Sequence, residues 1–194
     1  YHNGELTEGI TRGDGVIGES VYENLLEIKN IPKTIPSKLP YLEVRGEVYI
    51  SNEAFEEANK KQESMGGKKY QNPRNLAAGT LRQLDPSIVR DRNLDIFVFN
   101  LEISEGKEFT SHSETLEWLK EQGFKVSPDF TVCETADEVW DYISEVGNKR
   151  WNLEYAIDGA VVKVNNLEDR KKLGMTSKVP RWAVAYKTED RKSV

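Results

Sequence analysis

Residues 42–50 have the sequence LEVRGEVYI, in which apolar and polar side chains alternate. Positions 42, 44, 46, 48 and 50 fall on one face, whereas Glu43, Arg45, Glu47 and Tyr49 fall on the other. An alternation with a period of two is typical of a β-strand that buries one of its faces. The segment therefore predicts a half-buried strand that carries Glu47 on its polar face.

Further helices and strands are predicted on both sides of this strand. We expect Asn72 to cap a helix over 72–83 that begins at Pro73 and carries Arg74 and Arg82. Hydrophobic spacing and turn residues predict the remaining strands at 6–11, 94–103, 155–164 and 181–187, and helices at 52–64 (capped by Asn52), 113–122, 136–146 and 167–173. Hairpin turns outnumber strand–helix–strand units, so we predict an α+β fold of mostly antiparallel sheets flanked by helices.

The composition excludes several classes of protein. The 194 residues include 27 Lys and Arg against 33 Asp and Glu, which gives a net charge of −6. No stretch approaches the roughly 18 apolar residues of a membrane helix, and one cysteine, Cys133, makes neither an internal disulfide nor a cysteine zinc cluster. We therefore expect a cytosolic protein without a membrane partner. The net acidity argues against strong nonspecific DNA binding by this chain alone.

The first residues have the sequence of a hairpin turn. Asn3-Gly4 within Tyr1–Glu5 is the signal for a type I′ turn, which joins two antiparallel strands. Only the outgoing strand follows in this sequence, so we expect the incoming strand to lie upstream, in a longer protein.

Several charged residues lie in apolar or glycine-rich surroundings. Lys163 and Lys187 each end an apolar strand, where a lysine is costly to bury unless it meets an anion. Taken singly, each such charge is more often a solvated surface group. Two strand lysines accompanied by several arginines favour a phosphate-bearing ligand; the arginines are Arg12, Arg74, Arg82 and Arg150. Glu47 among them is suited either to accept hydrogen bonds from a ribose or to help hold a metal ion.

Five segments, taken together, resemble the nucleotidyltransferase (adenylation) domain of bacterial NAD-dependent DNA ligases. They follow the order of that family and span nearly the whole chain: TRGDG at 11–15, EVRGEV at 43–48, NPRN and AAGTLRQ within 72–83, DGAVVKV at 158–164, and PRWAVAYK at 180–187. The NPRN and PRWA blocks are specific to the family. The Asp-Gly…Lys element is shared with other ligases and with capping enzymes.

The resemblance implies a nucleotide cleft and a reaction in three steps. A lysine takes AMP from NAD, the AMP passes to the 5′-phosphate of nicked duplex DNA, and the 3′-hydroxyl then displaces it. In such a reaction Glu47 would bind the ribose, Arg12 would lie against the adenine, and Lys163 and Lys187 would contact the α-phosphate. Mg²⁺ is expected as a cofactor. The remaining carried-over residues, which face nucleotide or DNA phosphates or form the fourth motif, are Arg74, Arg82, Arg150 and Asp158.

The chain also departs from the family pattern. It contains no Lys-x-Asp-Gly motif, which holds the family's nucleophile, and after Lys187 the tail Thr188–Val194 replaces the usual Phe-Pro. We therefore interpret residues 1–194 as a partial adenylation domain that is inactive alone and works with the rest of a bacterial cytoplasmic ligase. The zinc, OB-fold, helix-hairpin-helix and BRCT domains of that family have no counterpart in this sequence.

Two other interpretations stay open from the sequence. The chain could be a catalytically dead nucleotide- or partner-binding module, or it could belong to ATP-dependent ligases or capping enzymes. The NPRN block argues against the ATP-dependent branch.

Overall fold

The computed structural model describes residues 1–127, 129–177 and 179–187. Helices and strands alternate irregularly along the chain, in the order α1 (Tyr22–Leu26), β1 (Leu42–Ile50), α2 (Asn52–Ser64), α3 (Pro73–Leu81), α4 (Ser87–Asp91), β2 (Leu94–Ser104), α5 (His112–Glu121), α6 (Ala136–Lys149), β3 (Gly159–Lys163), α7 (Leu167–Leu173) and β4 (Ala183–Lys187). A short 3₁₀ turn, Arg150–Asn152, follows α6. Strand β1 pairs with β2, and β3 pairs with β4, both antiparallel. The predicted α+β class with antiparallel sheets is confirmed.

The predicted strand at 42–50 is β1, and it forms one half of the larger sheet. Its register with β2 runs from Leu42 opposite Ser104 to Ile50 opposite Leu94, with two irregularities near its start. Gly46 lies at one of them, where a Cβ atom would come within 2.5 Å of the Phe97 carbonyl oxygen. Only glycine allows this close approach of the two strands.

The hydrophobic core covers the inner face of this sheet. Helix α3 packs against β1 and α5 packs against β2. The buried core cluster contains Ile28, Val89 and Leu119, which are fully inaccessible, and all of its members lie between Tyr1 and Val126. The sheet and its covering helices therefore form the most deeply packed part of the described chain.

Of the two predicted helix caps, Asn72 is confirmed and Asn52 is wrong. Asn72 accepts a hydrogen bond from the Asn75 amide and Pro73 starts α3, as predicted. Helix α2 is capped by Ser51 rather than Asn52, because the Ser51 hydroxyl accepts from the Ala54 amide. Asn52 is the first helical residue instead, and its side chain donates to the Leu153 carbonyl.

The predicted turn at the start of the chain is confirmed. Asn3 and Gly4 both have positive φ, 51° and 84°, as a type I′ turn requires. His2 and Glu5 exchange two backbone hydrogen bonds of 2.9 Å across the turn. The amide of Leu42 in turn donates to the Tyr1 carbonyl, so the turn is attached to the start of β1.

Several predicted boundaries are wrong. The segment 6–11 is no continuous strand: it makes an isolated bridge through Ile10 to Ser20, and Glu5 just before it makes another to Thr34, because its neighbours are loops rather than strands. The strands at 155–164 and 181–187 shorten to β3 and β4, and the helix at 72–83 ends at Leu81, which leaves Arg82 as its cap. Across the described ranges no helix is long and apolar enough to span a membrane.

Candidate functional site

The outer face of the larger sheet carries the predicted glutamate. Glu47 Oε1 lies 3.7 Å from Arg74 Nε of helix α3, and the two side chains are 58% and 73% exposed. Arg45, two residues earlier on β1, pairs with Glu102 of β2 at 3.1 Å. Because the Glu47–Arg74 pair is exposed, both groups remain accessible to a ligand.

Lys163 connects the smaller sheet to this face. Its ammonium group lies 5.2 Å from the centre of the Phe99 ring, which belongs to β2. Burial, followed by the charge of Arg170, lowers the pKa of Lys163 to about 8, although Glu102 opposes the shift. A partly buried lysine with a depressed pKa is typical of a functional site.

A second cation lies directly behind Lys163. Arg170 of α7 is only 8% exposed, its Nε donates to the Val164 carbonyl at 2.6 Å, and its guanidinium stacks 4.3 Å above the Trp182 ring. Its buried Nη2 has no hydrogen-bond acceptor among the described residues. Burial, followed by the charges of Lys163 and Arg170, lowers the pKa of the nearby His112 to about 3, so this imidazole is neutral. Lys163 and Arg170, with the neutral His112 beside them, therefore form a positive cluster that attracts an anion.

The two strand lysines lie on one face of the smaller sheet but at opposite ends. Lys163 pairs with Ala183, and Lys187 pairs with Gly159. Four residues separate the two pairs, which places the lysine backbones about 13 Å apart. Lys187 is exposed, so the structure brings Lys163, but not Lys187, into the positive cluster.

The Asp158-Gly159 step begins β3. A Cβ atom at Gly159 would lie 2.0 Å from the Tyr186 carbonyl oxygen, so a larger residue would push the two strands apart. Asp158 itself is exposed just outside the ladder. This dipeptide therefore marks the close approach that aligns β3 with the strand carrying Lys187.

Arg12 is exposed on a tightly built loop. Gly13 follows it with a φ of 55°, and a Cβ there would meet the Ile17 carbonyl. The Asp14 carboxylate accepts hydrogen bonds from the Ile17 and Val16 amides, each at 2.8 Å, and these bonds lower the pKa of Asp14. The loop that carries Arg12 thus has a defined shape.

The other two candidate arginines are spread over the surface. Arg82 caps α3 and its Nε lies 3.7 Å from a Glu19 carboxylate oxygen. The Arg150 guanidinium stacks 4.4 Å from the Trp151 ring centre. Of the predicted site residues, Glu47 and Arg74 are thus brought together in one ion pair.

Three residues next to Lys163 were not predicted from the sequence. Phe99 belongs to the mostly apolar stretch LDIFVFNLEI and Arg170 to the charged run LEDRKK, so neither differs from its immediate neighbours in type. His112 lies near a turn with no Cys or carboxylate at ligand spacing, so the sequence alone gives it no role. Only the packing of β2, α5 and α7 around β3 brings them together.

The structure is thus an α+β domain with cations beside a short antiparallel sheet, and comparison with known proteins identifies its family. A sequence model of the NAD-dependent DNA ligase adenylation domain matches residues 1–191. The chain belongs to this family, as its sequence motifs predicted.

Named relatives agree with this assignment. The chain is 70% identical to a DNA ligase of Clostridium kluyveri, 55% to one of Acetivibrio thermocellus and 51% to one of Clostridioides difficile, each over 187 residues. Each match covers 96% of this chain and 28% of the relative. The chain thus spans little more than a quarter of the length of these ligases.

Proposed function

We propose that the region where the two sheets meet, at Lys163 and Phe99, binds the AMP portion of NAD in a ligase that seals nicks in duplex DNA. The observation that supports this most directly is the half-buried Lys163, whose ammonium group lies over the Phe99 ring and is influenced by the charge of Arg170. Two cations in a partly dry site stabilise a phosphoryl group more strongly than they would in water. The family membership supports NAD as the AMP donor.

The face of the larger sheet is suited to the nucleoside. Glu47 is exposed beside Arg74, so its carboxylate is free to accept hydrogen bonds from ribose hydroxyls. Arg12, exposed on its loop, would lie against the adenine. The Phe99 ring, which already contacts the Lys163 ammonium group, adds an apolar surface next to the phosphate position.

Lys163 and Lys187 would share the α-phosphate. Both project from the same face of the β3–β4 sheet. Lys187 pairs with Gly159, which lies four residues before Lys163 on β3, and residues separated by an even number share a face of the sheet. Long lysine side chains from the two ends of the ladder are able to converge on one group above its middle. Charge that develops during transfer of the AMP would then be neutralised from two sides.

The DNA step would use the more exposed cations. Arg74, Arg82 and Arg150 are positioned to contact phosphates of a nicked duplex, which guanidinium groups bind in bidentate fashion. Asp158 would act at the edge of the same site. Mg²⁺ would be needed with the phosphates; within the described ranges no three acidic, His or Cys residues group together as ligands for it, and we derive no step through the ion.

The nucleophile lysine would come from a part of the ligase outside residues 1–194. The sequence contains no Lys-x-Asp-Gly motif, and Lys163 and Lys187 already match other motifs. Residues 1–194 alone would then bind nucleotide without forming a lysine–AMP bond, and they would act together with the rest of a ligase in the bacterial cytoplasm.

A labelling experiment tests this proposal. Residues 1–194 and a full-length ligase carrying this domain are each incubated with NAD labelled in its AMP part, and the denatured proteins are weighed by mass spectrometry. We expect an AMP-sized increase in the full-length ligase and none in residues 1–194. An adduct on residues 1–194 would overturn the proposed location of the nucleophile. A full-length ligase that takes no AMP from NAD would instead indicate a dead binding module.

A further inference from the structure

Asn24 is a buried polar residue outside the region where the two sheets meet. It belongs to helix α1 and is 7% exposed. Its amide nitrogen donates two hydrogen bonds to another part of the chain, to the Leu81 carbonyl at 2.6 Å and to the Gln83 carbonyl at 2.8 Å. The two carbonyls belong to the residues immediately before and after Arg82. One side chain therefore holds the backbone on both sides of a candidate phosphate-binding arginine.

The end of α3 explains why such a contact is needed. The last carbonyls of a helix have no partner within the helix and are commonly satisfied through a following glycine. Helix α3 has no glycine after it: Arg82 is the cap, with φ −99° and ψ 8°, and Gln83 follows. Asn24 supplies the missing donors from 57 and 59 residues away in sequence.

The same part of the chain also contacts the Arg82 side chain. Glu19, five residues before Asn24, lies 3.7 Å from Arg82 Nε. Glu19 is in turn tied to the loop that carries Arg12, because its carbonyl accepts from the Thr11 amide at 2.9 Å and its amide donates to the Thr11 hydroxyl at 3.0 Å. Segment 19–24 thus links two candidate ligand-binding arginines.

Of the two contacts to Arg82, the backbone contact is the more rigid. The Arg82–Glu19 pair is exposed on both sides, and such pairs hold a side chain only weakly. The Asn24 bonds are short and partly buried, and breaking them would leave the buried Asn24 amide and two carbonyls unpaired. The direction in which Arg82 leaves the helix therefore depends on Asn24.

We propose that Asn24 is the positioning residue of Arg82, and that it acts on AMP transfer only through the orientation of that guanidinium. The inference rests on the proposed contact of Arg82 with a nucleotide or DNA phosphate. A guanidinium binds a phosphate through two parallel hydrogen bonds, so a small displacement of its backbone removes much of the benefit.

A mutant cycle in a full-length ligase carrying this domain tests the inference. The variants are Asn24→Ala, Arg82→Ala and the double variant, together with Asn24→Ser, which retains one donor. Asn30→Ala is the matched control, because the Asn30 amide also makes two bonds to one backbone segment, with the carbonyl and amide of Ile96, each at 3.0 Å. The measurements are the single-turnover rate of AMP transfer to the 5′-phosphate of a nick and the thermal midpoint, with rates taken where every variant is folded.

The inference predicts non-additive rates. Arg82→Ala is expected to slow transfer about 100-fold and Asn24→Ala about 10-fold. The double variant should be no slower than Arg82→Ala, within about twofold. Asn24→Ser should fall between Asn24→Ala and the unchanged enzyme. Asn30→Ala should lower the midpoint by a similar amount yet keep its rate within about twofold.

Each contrary result has a distinct meaning. If the two single effects multiply in the double variant, or if Asn24→Ala transfers AMP at the unchanged rate, Asn24 is only a structural residue and the inference is wrong. If Asn30→Ala slows transfer as much as Asn24→Ala, the loss reflects stability and the inference is again wrong. If Arg82→Ala itself keeps the full rate, the proposed phosphate contact fails, and the positioning role fails with it.

Discussion

The two parts of the chain on either side of Pro128 differ in what holds them together. Residues 1–126 supply every member of the buried core cluster, including the inaccessible Ile28 and Leu119. In the described part of 129–187, Val161 and Val184 on the smaller sheet are 60% and 66% exposed. This second region instead contains the cationic cluster. The buried packing therefore lies in the first region and the Lys163–Arg170 cluster in the second, so substitutions should separate their effects.

Hydrogen bonds attach the second region to the first. The segment after β3 runs beside the start of α5, where the His112 amide donates to the Asn165 carbonyl and the Leu167 amide donates to the Thr110 carbonyl. The Asn165 side chain adds two bonds to Ser113. A two-stranded sheet alone is marginally stable in water, so these bonds are important for the position of Lys163.

The largest difference between the regions should appear in stability. Leu119→Ala removes a fully buried side chain from the first region and should lower the free energy of unfolding by about 2–5 kcal/mol. Val161→Ala, on the exposed face of β3, should change it by less than about 0.5 kcal/mol. Urea unfolding of residues 1–194 measures both, and equal losses would contradict the division into two regions.

The rate of AMP transfer should depend on the second region, in contrast to stability, which should depend on the first. In a full-length ligase, Lys163→Ala should slow AMP transfer by about 100- to 1000-fold because it removes a preorganised cation at the phosphate. Its thermal midpoint should not fall, since the desolvated ammonium group is costly to bury. Lys171→Ala, which removes an exposed lysine paired with Glu168, is the control and should leave the rate unchanged. An unchanged rate in Lys163→Ala would show that Lys163 does not contact the phosphate during AMP transfer.

The pH dependence sharpens the assignment to Lys163. Its pKa of about 8 means that the ammonium group loses its charge as the pH rises through 8. AMP affinity should then weaken by up to about tenfold per pH unit above 8, which isothermal titration at pH 7 to 9.5 would detect. Lys163→Arg, which stays charged, should give a flat profile over that range. A profile that falls equally in Lys163→Arg would assign the titration to another group.

The same group has a predictable effect on stability. Its pKa is lowered on folding from 10.5, so between pH 8 and 10.5 the unfolded chain binds more protons than the folded one. The contribution of Lys163 therefore becomes less destabilising as the pH rises through this window. Comparing urea midpoints at pH 8 and 10 for the unchanged protein and Lys163→Met isolates this contribution.

The smallest expected effect concerns the ion pair between Glu47 and Arg74. Both side chains are more than half exposed, so their interaction should contribute less than about 1 kcal/mol to the free energy of unfolding. A double-mutant cycle with Glu47→Gln and Arg74→Gln measures it. A larger coupling would mean that the pair holds α3 on β1 and is not free to bind a ligand.

Local sequence patterns predicted the elements that depend on local physics. Strand β1 and helices α2 and α7 have the predicted bounds, because hydrophobic spacing and turn residues are signals within a few residues. The Asn3-Gly4 turn was predicted for the same reason. The segment 6–11 was mispredicted because its alternation has no strand beside it with which to pair.

The site was predicted less completely than the fold. Motifs indicated Lys163 and Glu47 by type, but they did not indicate the burial of Lys163 or the contact of Glu47 with Arg74. Arg170 was missed because its burial depends on Trp182, which follows it by twelve residues and stacks on it only after β4 has paired with β3. Such contacts between distant segments leave no mark on local composition.

The position of the core within the first 126 residues also has a consequence for synthesis. A nascent chain leaves the ribosome amino end first, at about 5–20 residues per second. All of the core cluster up to Val126 has been made before Gly159 of β3 is added. The growing polypeptide is therefore able to bury these apolar residues before the strands that bear Lys163 and Lys187 have been made.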